Sequence, residues 1–162
     1  RFNHGAINNC KICIGEMTSI VDAKINCFQH NTNLEIGNNC LISYDVQIRT
    51  GEFPHLIFDK SSGEYLDKGS DIRIGNHCWL GEGVVILKNA SICDNNIVGC
   101  YSIVSRKFDE EYTVIAGNPA KVRKHNVDFV RNEMFLEKES DYYKSYVDYK
   151  LKNNGTYVEH TI

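Results

Sequence analysis

The sequence predicts an all-β solenoid, a parallel coil with flat sides, and three observations carry that prediction. An aliphatic residue stands at every sixth position through Ile74, Leu80, Ile86, Ile92, Val98 and Val104 without a break. Four positions after the aliphatic ones come Cys40, Val46, Cys78, Val84, Ala90, Asn96 and Ser102, all compact. The rhythm is broken by a stretch of 26 residues between Ile48 and Ile74 that holds Phe53-Pro54-His55, Ser61-Ser62-Gly63-Glu64 and Asp67-Lys68-Gly69.

A period of six belongs neither to a helix face at 3.6 residues nor to strand alternation, but it suits a coil whose sides each use six residues. Three sides close a turn, so Ile74 and Ile92 should stack in one column and Leu80 and Val98 in the next, one strand spacing of about 4.8 Å apart. The compact residues then fill a narrow triangular interior. Taken along the chain, Ile14 and Ile20 form a first fragment whose register slips before Ile36. Ile36, Ile42 and Ile48 restore the spacing, so the repeat covers most of residues 6–105. Gly and Asn cluster beside the aliphatic positions, in Ile36-Gly37-Asn38-Asn39 and Ile74-Gly75-Asn76, where sharp corners demand left-handed backbone. The stretch 50–72 is a loop thrown out of the coil, and a long loop on a rigid scaffold is a place to look for function. After Pro119 the period ends, and Asn126 to Lys152 is charged and tyrosine-rich, with Tyr142, Tyr146 and Tyr149 at helical spacing. We expect a coil domain over residues 1–118 and a partly helical extension over 119–162, its tyrosine stripe docking on the coil or on a neighbouring subunit.

Composition narrows the function classes. With 162 residues and a net charge of −3, acidic and basic residues mixed throughout, the chain has no extended basic surface for nucleic acid. No apolar run reaches the roughly 18 residues of a membrane span, and the start lacks a signal-peptide pattern. Because the sequence opens at Arg1 within repeat-like sequence, residues upstream are expected. Seven scattered cysteines do not form a secreted disulfide framework, so a reducing cytoplasmic setting is expected. Cys10 and Cys13 form a single C-x-x-C without a second pair; we read them as small apolar filler and expect no metal.

Ile74-Gly75-Asn76-His77-Cys78-Trp79-Leu80-Gly81, continuing through Gly83 to Lys88 and closing with Ile115-Ala116-Gly117-Asn118-Pro119-Ala120-Lys121-Val122, resembles the hexapeptide-repeat acyltransferase family. The resemblance spans about two-thirds of the chain and implies a left-handed coil, a homotrimer with active sites between subunits, and acetyl-CoA as acyl donor. Handedness comes from the resemblance alone, since general crossover rules favour the right-handed connection. Residues 48–59 and 71–79 are similar to the branch that acetylates capsular polysaccharides, including sialic-acid polymers, in which the looped-out histidine is catalytic. Where that branch commonly has Ser-Asp-x-His, this chain has Gly51-Glu52-Phe53-Pro54-His55, one residue longer, so no carboxylate role passes to Glu52.

The chemistry fits. A sugar hydroxyl attacks a thioester more readily when a base removes its proton, and histidine, with an ordinary pKa of about 6.5, suits that work. His55 is the expected base. His4, His30, His125 and His160 have no motif around them, and His77 stands in a common polar position of the repeat. The oxyanion formed on attack needs a donor, from a backbone N–H or the indole of Trp79, whose outward slot fits an interface equally well. For the phosphates and pantetheine of the donor the candidates are Lys88, Lys107, Lys121 and Arg123, with close backbone contacts from Ser105 and Gly117.

Rival readings stay open. Acetylation of an amino-sugar nucleotide or of a xenobiotic would use the same base and donor with another pocket. A trimeric binding scaffold would use neither. A zinc-dependent carbonic anhydrase on the same coil would need three histidine ligands, and no His-x4-His pair occurs.

Overall fold

The computed structural model describes residues 2–4, 9–27, 29–52 and 55–153. Contacts divide the chain into two compact units, Arg1–Asp128 and Phe129–Ile162. Among the described residues the first unit holds sixteen short strands, of which the first fifteen come in triplets. These run β1 (Phe2–His4), β2 (Lys11–Ile14), β3 (Ser19–Ile20); β4 (Ala23–Cys27), β5 (Asn33–Ile36), β6 (Leu41–Ile42); and β7 (Val46–Arg49), β8 (Ile72–Ile74), β9 (Trp79–Leu80). They continue with β10 (Val85–Ile86), β11 (Ser91–Ile92), β12 (Ile97–Val98); and β13 (Ile103–Val104), β14 (Lys107–Phe108), β15 (Thr113–Ala116). Each member of a triplet enters a different sheet, giving the orders β1-β4-β7-β10-β13, β2-β5-β8-β11-β14 and β3-β6-β9-β12-β15. All of these pairings are parallel. The third sheet ends in an antiparallel hairpin with β16 (Lys121–His125). That hairpin carries the first unit past the boundary expected at 118.

The expected columns are present where the period is unbroken. Ile74 pairs with Ile92 and Leu80 with Val98, each 18 positions on. The aliphatic and compact positions face inward together: Leu80, Ile86, Ile92, Val98 and Val104 are buried, as are Cys40, Val46, Cys78, Val84, Ala90, Asn96 and Ser102. Removing this apolar surface from water is the main force holding strands of only two residues in place. The buried Asn96 is satisfied by the chain around it. Its Oδ1 accepts from the Thr113 amide and hydroxyl, both at 2.8 Å, and its Nδ2 donates to the Glu110 carbonyl at 2.8 Å.

The corners meet the expectation in part, since Asn39 of the first cluster is left-handed while Gly37, Asn38, Gly75 and Asn76 are not. The left-handed backbone falls three positions after the aliphatic residue, at Asn39, Asp45, His77, Gly83, Asn89, Asn95 and Tyr101. Gly37 and Gly75 serve close approach instead. A Cβ on Gly75 would lie 2.6 Å from the Asp94 amide nitrogen, and one on Gly37 would lie 2.6 Å from the Gly75 carbonyl. With the backbones this near, Asn38 N donates to Asn76 Oδ1 at 2.9 Å and Asn76 N to Asp94 Oδ1 at 3.0 Å, a ladder of side-chain acceptors along one edge. Asparagine and aspartate do this because their short acceptors reach neighbouring backbone.

In the second unit a 3-10 turn over Glu133–Phe135 precedes helix α1 (Asp141–Asn153), which holds Tyr142, Tyr146 and Tyr149 as their spacing predicts. Glu133 holds the unit together internally, accepting from the Tyr146 hydroxyl and from Lys150 Nζ at 2.5 Å.

Candidate active site

The sheets stay in register while the chain between β7 and β8 leaves them. β5 pairs Ile36 with Ile74, and β6 pairs Ile42 with Leu80, both 38 positions on instead of 18. The 20 additional residues are the excursion predicted from sequence. Its neck is closed where Ser70 N donates to the Thr50 carbonyl at 3.2 Å. Beyond the neck two arms run to a small hairpin in which Leu66 N donates to Ile57 O, Phe58 bridges Tyr65, and Asp59 N donates to Glu64 O. The Phe58 and Tyr65 rings meet at 5.5 Å between centroids. At the hairpin tip Asp59 Oδ1 accepts from the backbone and hydroxyl of both Ser61 and Ser62. These bonds, the Ser61 hydroxyl foremost, hold its carboxyl at a pKa of about 2.

His55 lies on the first arm and is exposed, its amide donating to the Glu52 carbonyl at 3.4 Å. Phe53 and Pro54 lie outside the described residues. Glu52 is engaged by Arg49, Nη1 to Oε2 at 2.9 Å, so its carboxylate answers a neighbouring cation. Gln29 closes the excursion from the side: its Nε2 donates to the Tyr65 hydroxyl at 3.2 Å and to the Asp67 carbonyl at 3.3 Å. Glycine is required on both arms to admit it, since a Cβ on either Gly51 or Gly69 would lie 2.3 Å from a Gln29 side-chain carbon. Thr32 donates to Thr50 Oγ1 at 3.1 Å in the buried floor beneath.

Trp79 is on β9, its side chain outward and 39% exposed, and its indole N–H donates to Ser43 Oγ at 3.3 Å. It stands in a row of outward residues with Leu41, Ile97 and Val114, which are half-buried. His77 holds a left-handed corner, with Nδ1 at 2.9 Å from Asn39 Nδ2 and Nε2 at 3.2 Å from Asp128 Oδ1. An amide nitrogen can only donate, so Nε2 carries the proton and donates to the carboxylate. His125 pairs with Glu110 at 3.1 Å, His30 is exposed, and the His4 and His160 side chains lie outside the described residues.

The residues proposed from sequence for the acyl donor divide. Lys88 sits two residues past β10 and forms an ion pair with Asp67 of the second arm, whose side chain is fully buried. Sequence reasoning missed Asp67, because nothing in Asp67-Lys68-Gly69 distinguishes a buried carboxylate from an ordinary loop charge. Ser105, Lys107, Lys121 and Arg123 are exposed on the last strands and their connections. Gly117 adopts φ 109°, donates to Ser102 Oγ at 3.0 Å and accepts from the Ile103 amide, which fastens the β15–β16 turn to β13. Arg123 Nε donates to the Ala116 carbonyl at 3.0 Å, and a Cβ on Gly117 would come within 2.8 Å of Arg123 Nη2. Gly117, Lys121 and Arg123 thus share one hairpin. A groove of about 300 Å³ runs along the Gly15, Gly37 and Gly75 edge beside Glu35 and Arg73, and none of the proposed residues line it. Among the described residues no three His, Cys, Asp or Glu side chains gather where a metal could bind, and no helix is long and apolar enough to cross a membrane.

Comparison with known proteins adds the family. Residues 71–106 match the bacterial transferase hexapeptide (six repeats) family. A polysialic acid O-acetyltransferase of Escherichia coli O1:K1 is 33% identical over 128 residues, a match covering 79% of this chain but 41% of that protein, so the chain spans less than half of its relative. Among solved structures, the polysialic acid O-acetyltransferase OatWY superposes with a TM-score of 0.72 at 26% identity, covering 92% of this chain and 77% of the other. A galactoside acetyltransferase in complex with coenzyme A shares the fold, with a TM-score of 0.53 at 22% identity over 77% of this chain and 72% of that one. The matched repeat, the threefold cycling of strands and these likenesses place the chain in the bacterial hexapeptide-repeat transferase family.

Proposed function

We propose that this protein is an acetyl-CoA-dependent O-acetyltransferase acting on a hydroxyl of a bacterial surface carbohydrate, a capsular polysaccharide of the sialic-acid class, with His55 as general base. The observation that carries the proposal is the excursion between β7 and β8. It is fastened at its neck, floor and tip, yet it leaves an imidazole exposed on its first arm. The similarity to a polysialic acid O-acetyltransferase supports the choice of acceptor, and the coenzyme A complex of the galactoside acetyltransferase supports the choice of donor. A donor made in the cytosol puts the reaction there.

In the proposed reaction His55 takes the proton of the sugar hydroxyl as its oxygen bonds to the thioester carbonyl carbon. The carbon–sulfur bond then breaks, and the coenzyme A thiolate takes the proton back from the imidazolium. The developing oxyanion needs a donor held in place. With the Trp79 N–H already given to Ser43, a backbone N–H is the better candidate. Trp79, with Leu41, Ile97 and Val114, then provides an apolar strip for a neighbouring subunit. We read the triplets as turns of a left-handed β-helix and the assembly as a homotrimer with its sites between subunits. Lys107, Lys121 and Arg123 remain the cations for the donor's phosphates, with Ser105 and Gly117 beside them.

Release of free thiol from acetyl-CoA in the presence of oligosialic acid tests the base. His55→Ala should lower the rate by about 10²- to 10⁴-fold. Equal rates would remove His55 from the mechanism, and release driven only by amino-sugar nucleotides would transfer the proposal to an amine acceptor.

A further inference from the structure

We infer that Asp67 and Lys88 are positioning residues for the reaction, an ion pair made on a buried carboxylate that sets the height of the His55 arm above the sheets; the inference rests on the reading of His55 as base. Between the neck at Thr50 and Ser70 and the hairpin that begins at Ile57 and Leu66, the excursion consists of two facing arms. His55 is on one arm and Asp67 on the other, next to the last hairpin pair. The Asp67 side chain is fully buried, Oδ1 is paired with Lys88 Nζ, and Oδ2 has no hydrogen-bond partner among the described residues. Lys88 follows β10, a strand paired on both sides and closed over the core.

A carboxylate out of water with half of its acceptors unused is poorly suited to serve stability alone, because replacing such a pair by apolar residues of like volume is often neutral or favourable. What the pair supplies is a single height for the second arm, and through the hairpin and Gln29 a single height for the first. Ser70 Oγ, accepting from the Asn89 amide, and Asp71 Oδ1, accepting from the Asn33 amide at 2.7 Å, fix the chain just beyond but leave the arms free to tilt without Asp67. A base displaced by about 1 Å loses about 10²-fold in rate. The assignment takes Lys88 away from the acyl donor.

The test compares Lys88→Met, Asp67→Asn and the double variant Lys88→Met/Asp67→Leu, reading kcat, the KM for acetyl-CoA and amide hydrogen exchange along the chain. Each single variant should lose about 10²-fold in kcat with the KM for acetyl-CoA little changed, and exchange should quicken over residues 55–70 but not in β10 to β13. The double variant, apolar in both places, keeps the fold if the single variants do not, and should show the same low kcat. A raised KM for acetyl-CoA in Lys88→Met with normal kcat in Asp67→Asn would overturn the inference, as would full activity in the folded double variant. If His55→Ala turned over normally, the base assignment would fall separately. The exchange pattern would then decide for or against the pair, quickened arms supporting it and unchanged arms refuting it.

Discussion

Individual side chains in this protein act mostly through short polar bridges to backbone, and the hairpin tip is the sharpest case. Asp59 is partly exposed, and four hydrogen bonds from Ser61 and Ser62 favour its charged form and bring its pKa to about 2 from the ordinary 3.8. Because the folded value is the lower one, Asp59 contributes to the tip's stability above pH 3.8 and the contribution is lost as pH falls toward 2. Carboxyl NMR should show its midpoint near 2, moving up in Ser61→Ala. A midpoint unmoved by that substitution would contradict the assignment of cause. At this scale the compact column was readable, because volume is a property of the residue itself. The Asp67–Lys88 pair was not, because its members are 21 positions apart and each looks like a surface charge until the fold buries one.

Strands of two residues persist only as members of a stack, so the period is legible where it runs unbroken and illegible where the chain inserts or skips. From Ile74 to Val104 the partners lie 18 positions apart and the columns follow from counting. Elsewhere the offset is 22 for Ile14 with Ile36, 38 for Ile36 with Ile74, 16 for Ile92 with Phe108 and 17 for Val98 with Ile115. Phe108 and Ile115 therefore continue the core without belonging to the six-residue rhythm, and only their apolar character in a charged stretch could have marked them. The corners carry a testable difference. Gly75→Ala puts a Cβ 2.6 Å from backbone on the next turn and should cost about 1–3 kcal/mol. Gly63→Ala, at φ 72° in open space, meets only the left-handed penalty of about 1 kcal/mol. Urea denaturation of the two variants should rank them in that order; the reverse ranking would mean that corner strain, and not close approach, is what glycine relieves.

For the molecule as a whole, the sheets differ in what they show outward. Glu35, Arg73 and Lys107 make the second sheet's outer row charged and exposed, while Leu41, Ile97 and Val114 make the third sheet's row apolar and half-covered. The proposed trimer would use the apolar rows, so sedimentation equilibrium should give three copies per particle, and Ile97→Lys should shift the particle toward monomer. A monomer in the unaltered protein would contradict the proposed site between subunits. Family and coil were legible from sequence because repeats and the Ala116-Gly117-Asn118-Pro119-Ala120-Lys121 segment are local patterns. The fastening of the arm that carries His55 was not, because Gln29, Thr50, Asp67 and Lys88 meet only in three dimensions. The bond formed on the acceptor tests the proposed activity most directly. Mass spectrometry of oligosialic acid after incubation with acetyl-CoA and the protein should show added acetyl groups that hydroxylamine removes as esters, formed about 10²- to 10⁴-fold more slowly with His55→Ala. Acetyl groups found only as amides, or added equally well by the His55→Ala protein, would contradict it.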